Sequence, residues 1–338
     1  MPVSVLVTGS RVSAGPAARV EMRADRETAY RHVRNTLGSD VLDSDVLGSY
    51  GFGMVISPSA YWTGPLPEAT PPADMALYRL PTGTYTTRAV FAVTGGSVRD
   101  KREFAATAVL ISHPKGDLLI DAGFGEHVAE HIAMLARMER APHRLGRTAA
   151  QQLDAAGYDR SRLLGVLVTH VHWDHVSGLD SLRVPVWINE AEIRYGAADS
   201  HATVFRAVSQ GLEIREYAFD GPEYLGFPAS FDVHGDGSVI VALAAGHTPG
   251  SVVVFVTPPT GKRYAFIGDL TWQMDGISRG AERPWLLRRV ADVDAGTVRA
   301  GLQRSIALSR VMQVVPAHDV AAYDSIPLLP SRFPSVTP

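Results

Sequence analysis

The amino-acid sequence predicts a layered α/β fold. Short apolar runs bounded by Gly and Pro recur along the chain, as buried strands do. Stretches of helical periodicity are interspersed among them, so helices would cover the faces of a sheet. A third observation concerns chemistry. T-H-V-H-W-D-H, residues 169–175, crowds His170, His172, Asp174 and His175 together directly after one of the apolar runs.

Composition sets the limits. The 338 residues are 46% hydrophobic and 20% charged, within the range of globular proteins and outside that of disordered ones. Lys+Arg 32 against Asp+Glu 35 gives a net charge of −3. The arginines are scattered, so nucleic acid and membrane surfaces are not expected partners. Cysteine is absent, which removes disulfides, thiolate metal ligands and a cysteine nucleophile. The N-terminus lacks the charged segment and longer apolar stretch of a secretory signal, and no run approaches a membrane span. The expectation is a cytoplasmic protein.

Residues 1–72 read as an N-terminal extension. A helix is predicted over 21–37, where Met22, Ala29, Tyr30, Val33 and Leu37 recur at helical spacing and Gly38 follows as a stop. An aromatic loop comes next, with Tyr50, Phe52, Met54, Tyr61 and Trp62 available to line a substrate pocket or a homodimer contact. A proline-rich stretch over 65–72 closes the extension. The catalytic domain is expected over 73–338. Its first strands are predicted at 75–80, 85–93, 105–113 and 117–121, followed by helices at 126–140 and 147–156 and an apolar strand at 163–169. Further strands are predicted at 184–188, 213–218, 239–243, 251–257, 263–268 and 311–315. Helices are predicted near 189–197, 200–210, 283–290 and 294–309, the third anchored by Trp285, Leu286 and Leu287.

Imidazole nitrogen and carboxylate oxygen are the common non-thiolate ligands of zinc and similar ions. Four such groups together have no packing value and a high desolvation cost unless something binds them. Residues two apart at a strand end point the same way, so His170 and His172 can share one ion. Asp174 and His175 lie past a turn and suit a second ion. Three further candidates each follow an apolar run: His247 in A-G-H-T-P-G-S, Asp269 in F-I-G-D-L and His318 in V-V-P-A-H-D. One sheet edge would gather all seven. By contrast, His113, His143 and His234 are expected to be surface or hydrogen-bonded histidines rather than ligands.

H-x-H-x-D-H followed by G-H-T-P-G-S, G-D and A-H-D resembles the metallo-β-lactamase superfamily, over about residues 75–320. The resemblance implies a four-layer αββα sandwich with a dinuclear site. His170, His172 and His247 would hold one ion and Asp174, His175 and His318 the other, with Asp269 bridging. Asp121, in G-D-L-L-I-D-A-G, would support the metal loop from behind. The ions would be zinc, with Mn, Fe or Co as alternatives. Residues 104–123 and the pair His318–Asp319 resemble the acyl-homoserine-lactone lactonases within the superfamily, with quorum quenching as the biological role this implies. In that branch a metal-bridging hydroxide opens the ring, and the motif aspartate, here Asp174, protonates the leaving alkoxide. Those lactonases often carry a substrate-contacting tyrosine three residues after the bridging aspartate. Here Trp272 stands there, as a pocket residue whose N–H can donate one hydrogen bond.

The expected function is therefore a dinuclear metal-dependent hydrolase of a small-molecule lactone or carboxylic ester. Thioester, aryl ester or phosphotriester hydrolysis is the alternative within hydrolases. A mononuclear iron dioxygenase acting on persulfides is the alternative from another class.

Overall fold

The structure is a computed structural model, and it describes residues 64–333. The helix expected at 21–37 and the pocket candidates Phe52, Met54 and Trp62, with Tyr50 and Tyr61, lie outside the described residues.

Among the described residues two β-sheets form. The first contains β1 (Ala76–Arg88), β2 (Lys101–Ser112), β3 (Asp117–Ile120), β4 (His143–Leu145), β5 (Leu163–Leu167), β6 (Val186–Asn189) and β7 (Ile214–Tyr217), in the order β4-β1-β2-β3-β5-β6-β7. The second contains β8 (Ser230–Asp232), β9 (Val239–Leu243), β10 (Val252–Val256), β11 (Tyr264–Phe266) and β12 (Gln313–Val315), in the order β12-β11-β10-β9-β8. Pairing in the first sheet changes from antiparallel to parallel at β3·β5. In the second, only β11·β12 is parallel.

Alternation along β2 explains the layering. Ala105, Val109 and Ile111 point into a core shared with Val241, Val254 and Phe266 of the second sheet. Ala106, Ala108 and Leu110 point the other way, onto Val128, Ile132, Leu153 and Leu179 of the covering helices. The second sheet does the same. Ile240, Val253 and Phe255 face Leu302 and Ile306 of the helix Ala295–Leu308. Both faces of each sheet are therefore covered, which is why the strands read as near-continuous apolar runs rather than alternating ones. The result is helix, sheet, sheet, helix, the four-layer sandwich.

Several boundaries differ from expectation. The predicted strands 75–80 and 85–93 are one strand, β1, with a register shift between Pro81 and Gly83 where a turn would break it. Pro81 cannot donate a ladder hydrogen bond, and the irregularity absorbs that. Residues Ala89–Ala92 form a helical turn instead of continuing the strand. The helix expected over 126–140 is short, Val128–Met134. The helix Ala149–Ala155 begins at a capping box, with Thr148 and Gln151 each holding the other's backbone N–H. The helix Trp285–Ala291 exists, but Trp285 is 57% and Leu286 67% exposed, so they do not anchor it. No helix among the described residues is long and apolar enough to cross a membrane.

Candidate metal centre

Five loops leave the C-terminal ends of β3, β5, β9, β11 and β12, and together they carry Asp121 and all seven expected ligands. The loops are laced to one another. Asp121 N donates to Leu167 O, Val252 N to Thr169 O, Ala317 N to Gly268 O and Ala105 N to His318 O. Two glycines allow the turns into the site. Gly246 (φ +133°) precedes His247, and a Cβ there would meet Val298 N at 2.8 Å. Gly268 (φ +49°) precedes Asp269 in the left-handed region that favours glycine. After His172 the chain enters the helical turn Trp173–Val176, which brings His175 back beside His170, ring centroids 4.0 Å apart, and sets an Asp174 oxygen 3.3 Å from His318 Nε2.

The seven side chains converge in three overlapping sets: His170, His172 and His247; His170, His175 and Asp269; Asp174, His175 and His318. Within each set the nearest donor atoms lie within 4.8 Å of one another. His172 Nδ1 is 2.9 Å from His247 Nε2, and His175 Nε2 is 3.3 Å from His318 Nε2. Ligands about 2.0–2.1 Å from a tetrahedral zinc are about 3.3 Å apart, so this spacing suits a shared ion. The two oxygens of Asp269 face different partners. Oδ2 is 3.3 Å from His247 Nε2 and 3.8 Å from His170 Nε2. Oδ1 is 3.1 Å from His318 Nε2 and 3.4 Å from His175 Nε2.

The residues present fit divalent ions. His170 Nε2 and Asp269 Oδ1 are buried with no hydrogen-bond partner, a costly state that coordination would relieve. Burial, with His175, His172 and His247 close by, holds the His170 pKa well below normal, and burial and His247 do the same to His172. Both stay neutral, the form that binds metal. For His175, His247 and His318 burial also disfavours the charge, but neighbouring carboxylates outweigh it and raise their pKa values: Asp121 and Asp269 for His175, Asp269 and Asp292 for His247, Asp269 and Asp174 for His318. Asp269 is fully buried, yet His318 and His175 keep its pKa well below normal. This cage holds the Asp269 carboxylate ionised and draws positive charge to it.

Groups behind the cage orient it. Asp121, with φ of +54°, accepts from Thr169 N (2.7 Å), Thr169 Oγ1 (3.0 Å) and His175 Nδ1 (2.8 Å). His318 Nδ1 faces Ala105 O at 2.8 Å. Residues Asp292, Arg283 and Glu192 were not legible in the sequence. Asp292 Oδ1 accepts from His247 Nδ1 at 3.0 Å and from Arg283. Glu192 is 1% exposed and accepts from Val171 N (2.8 Å), Thr248 Oγ1 (2.7 Å) and Gly250 N (2.9 Å), tying the motif loop to the His247 loop. These residues sit on surface helices or their connections, and only their partners give them meaning. Trp272, expected in the pocket, is half-buried and donates its indole N–H to Asp269 Oδ2 at 2.7 Å. Asp319 accepts from Met274 N and Ala322 N, outside the cage.

Elsewhere, His113 and His234 stack at 3.8 Å beside Asp236, and His143 packs edge-on to Phe124. Against the site, Tyr85 packs within 5.5 Å of the Trp173 and His318 rings and hydrogen-bonds Asp174.

A two-sheet sandwich with a histidine and carboxylate cage on its loop edge is the architecture of a metal-dependent enzyme. The model of the metallo-beta-lactamase superfamily matches residues 102–306. The chain belongs to that superfamily. A probable metallo-hydrolase of Mycobacterium tuberculosis, Rv2300c, is 26% identical over 237 residues, 64% of this chain and 74% of its own. The N-acyl homoserine lactonase AttM of Rhizobium johnstonii is 26% identical over 272 residues, 77% of this chain and 99% of its own. Among solved structures, an N-acyl homoserine lactone hydrolase with the product N-hexanoyl-L-homoserine at its catalytic metal centre superposes with TM-score 0.60 at 15% identity, covering 75% of this chain and 96% of that one. The dizinc quorum-quenching lactonase AidC superposes with TM-score 0.50 at 14% identity, covering 75% and 90%. These last two likenesses bear on the fold.

Proposed function

We propose that this chain is a dinuclear metal-dependent hydrolase that opens a lactone or cleaves a carboxylic ester of a small molecule. The observation that carries the reading is the split orientation of Asp269, Oδ2 towards His170 and His247, Oδ1 towards His175 and His318. In this reading His170, His172 and His247 hold one ion and Asp174, His175 and His318 the other. Asp269 is shared. Zinc suits the nitrogen-rich donor set, with Mn, Fe or Co as alternatives. When bound, such ions supply an activated water at neutral pH and polarise the substrate carbonyl.

The chain's own groups then manage the proton. Asp174 is buried and has the Tyr85 hydroxyl on its carboxylate. As water adds to the carbonyl carbon, Asp174 takes the proton it releases. When the acyl C–O bond breaks, the same proton passes to the leaving alkoxide oxygen, giving the hydroxy acid or the alcohol. During this exchange Asp121 holds Thr169 and His175 of the motif loop together, and Glu192 ties that loop to the His247 loop. The lactone preference rests on relatives such as the N-acyl homoserine lactonase AttM, which this chain matches over 99% of its length at 26% identity.

The test is a substrate panel on metal-loaded protein: acyl-homoserine lactones, p-nitrophenyl esters, thioesters and paraoxon-type esters. Lactone turnover that outpaces the rest supports the reading. Fast ester turnover without lactone turnover removes the lactone assignment. One iron per chain with oxygen consumption on persulfides removes the hydrolase assignment.

A further inference from the structure

Trp272 does more than wall the site. Its N–H lies 2.7 Å from Asp269 Oδ2, while Asp269 Oδ1 is buried with no hydrogen-bond partner. An indole has a single donor and no acceptor, so this bond commits the group to Asp269 and leaves nothing for a substrate. The indole is itself held on several sides. The Arg283 guanidinium lies 5.1 Å above the ring, and Phe104 meets it edge-on at 5.9 Å. The Trp272 carbonyl accepts from His318 N at 3.2 Å. Arg283 is 3% exposed and donates to the Asp269 carbonyl at 2.6 Å. It also donates to Asp292, the partner of His247 Nδ1. One buried arginine thus connects the backbone of Asp269, the ring that holds its carboxylate, and the carboxylate that orients His247.

The terminal torsion of an aspartate is broad and roughly two-fold. Without a holder, the Asp269 carboxylate can rotate and blur the difference between its oxygens. We propose that Trp272 is a positioning residue: its indole N–H pins Oδ2 on the His170 and His247 side, so that Oδ1 is presented to His175 and His318. The proposal rests on the reading of Asp269 as a ligand shared by two ions. It makes the tryptophan a part of the cage rather than a substrate contact.

Trp272→Phe keeps the aromatic ring under Arg283 and removes only the donor. Zinc is titrated into metal-stripped wild-type and W272F protein against a chromophoric chelator. Thermal midpoints of the two metal-free forms check the fold. Two ions are expected in the wild type, with W272F binding at least one of them about 10–100-fold more weakly and melting at the wild-type temperature when metal-free. Equal affinities overturn the proposal whatever the ion count. A single ion in the wild type overturns the two-ion reading on its own. A second readout needs no variant. In ¹⁵N-labelled wild-type protein the indole signal of Trp272, assigned through its backbone, should shift as zinc is added while that of Trp285 stays. A Trp272 signal that zinc does not move overturns the proposal.

Discussion

Asp121→Asn probes the scaffold behind the metal cage with little cost to the fold. Asp121 sits at φ +54°, and Asn is among the residues that tolerate this left-handed region. The wild-type carboxylate accepts three hydrogen bonds, from Thr169 N, Thr169 Oγ1 and His175 Nδ1. The amide keeps one oxygen, enough for Thr169 N, but turns an NH2 towards His175 Nδ1 and Thr169 Oγ1. Two donors then face each other at His175, which must rotate or shift its proton to Nε2, the nitrogen that points at His318 and Asp269. A hydrogen bond to a charged group is worth about 1.5–3 kcal/mol. At about 1.4 kcal/mol per factor of ten, its loss corresponds to about 10–100-fold in metal affinity, the usual range for such supporting groups. Chelator competition with zinc measures it, and a metal-free melt confirms the fold. D121N that binds zinc within twofold of the wild type refutes the claim that Asp121 sets the orientation of His175.

Other perturbations follow the same logic. Asp269→Ala removes the carboxylate between the two histidine groups, and metal analysis should find fewer ions per chain, with hydrolysis reduced to background; full activity would refute the shared role. Glu192→Ala strands two buried backbone donors, Val171 N and Gly250 N, together with the Thr248 hydroxyl, and should cost about 3 kcal/mol in urea unfolding; an unchanged midpoint would show that the two loops hold without it. Acid should destabilise the fold through His234. Burial, with the stacked His113 beside it, lowers the His234 pKa to about 4. The unfolded chain therefore takes up a proton near pH 6.5 that the folded chain refuses until near pH 4. Stability is complete above about 6.5 and falls by up to about 3 kcal/mol as pH drops between these values. His234→Phe should flatten that slope in pH-dependent melts, and a slope identical to the wild type would place the acid sensitivity elsewhere.

The strands and the cage were legible because each carries a local signal. The run V-I-V-A-L matches β9 residue for residue, and the histidine motif needs only its own spacing to suggest a metal. Strand ends were informative for a geometric reason: His247, Asp269 and His318 each follow a buried run, and the topology sends every one of those ends to the same edge. What stayed hidden depends on contacts between segments distant in sequence. Glu192 reads as an ordinary polar residue in the first turn of a helix, yet it accepts bonds from residues 171, 248 and 250. Arg283 and Asp292 flank a helix whose own apolar residues face outward, so periodicity pointed away from them. Trp272 was visible as a pocket aromatic, but its bond to Asp269 depends on where the turn after β11 places the ring. The continuity of β1 through Pro81 was hidden because a Pro–Thr–Gly sequence ordinarily signals a turn.

The two-ion reading is tested most directly by anomalous diffraction at the zinc edge from crystals of the zinc-loaded full-length protein. It predicts two peaks about 3.5–4 Å apart. One should lie among His170, His172 and His247, the other among Asp174, His175 and His318, with one Asp269 oxygen directed at each. A single peak in this cage, or a second peak without Asp269 between the two, would contradict it.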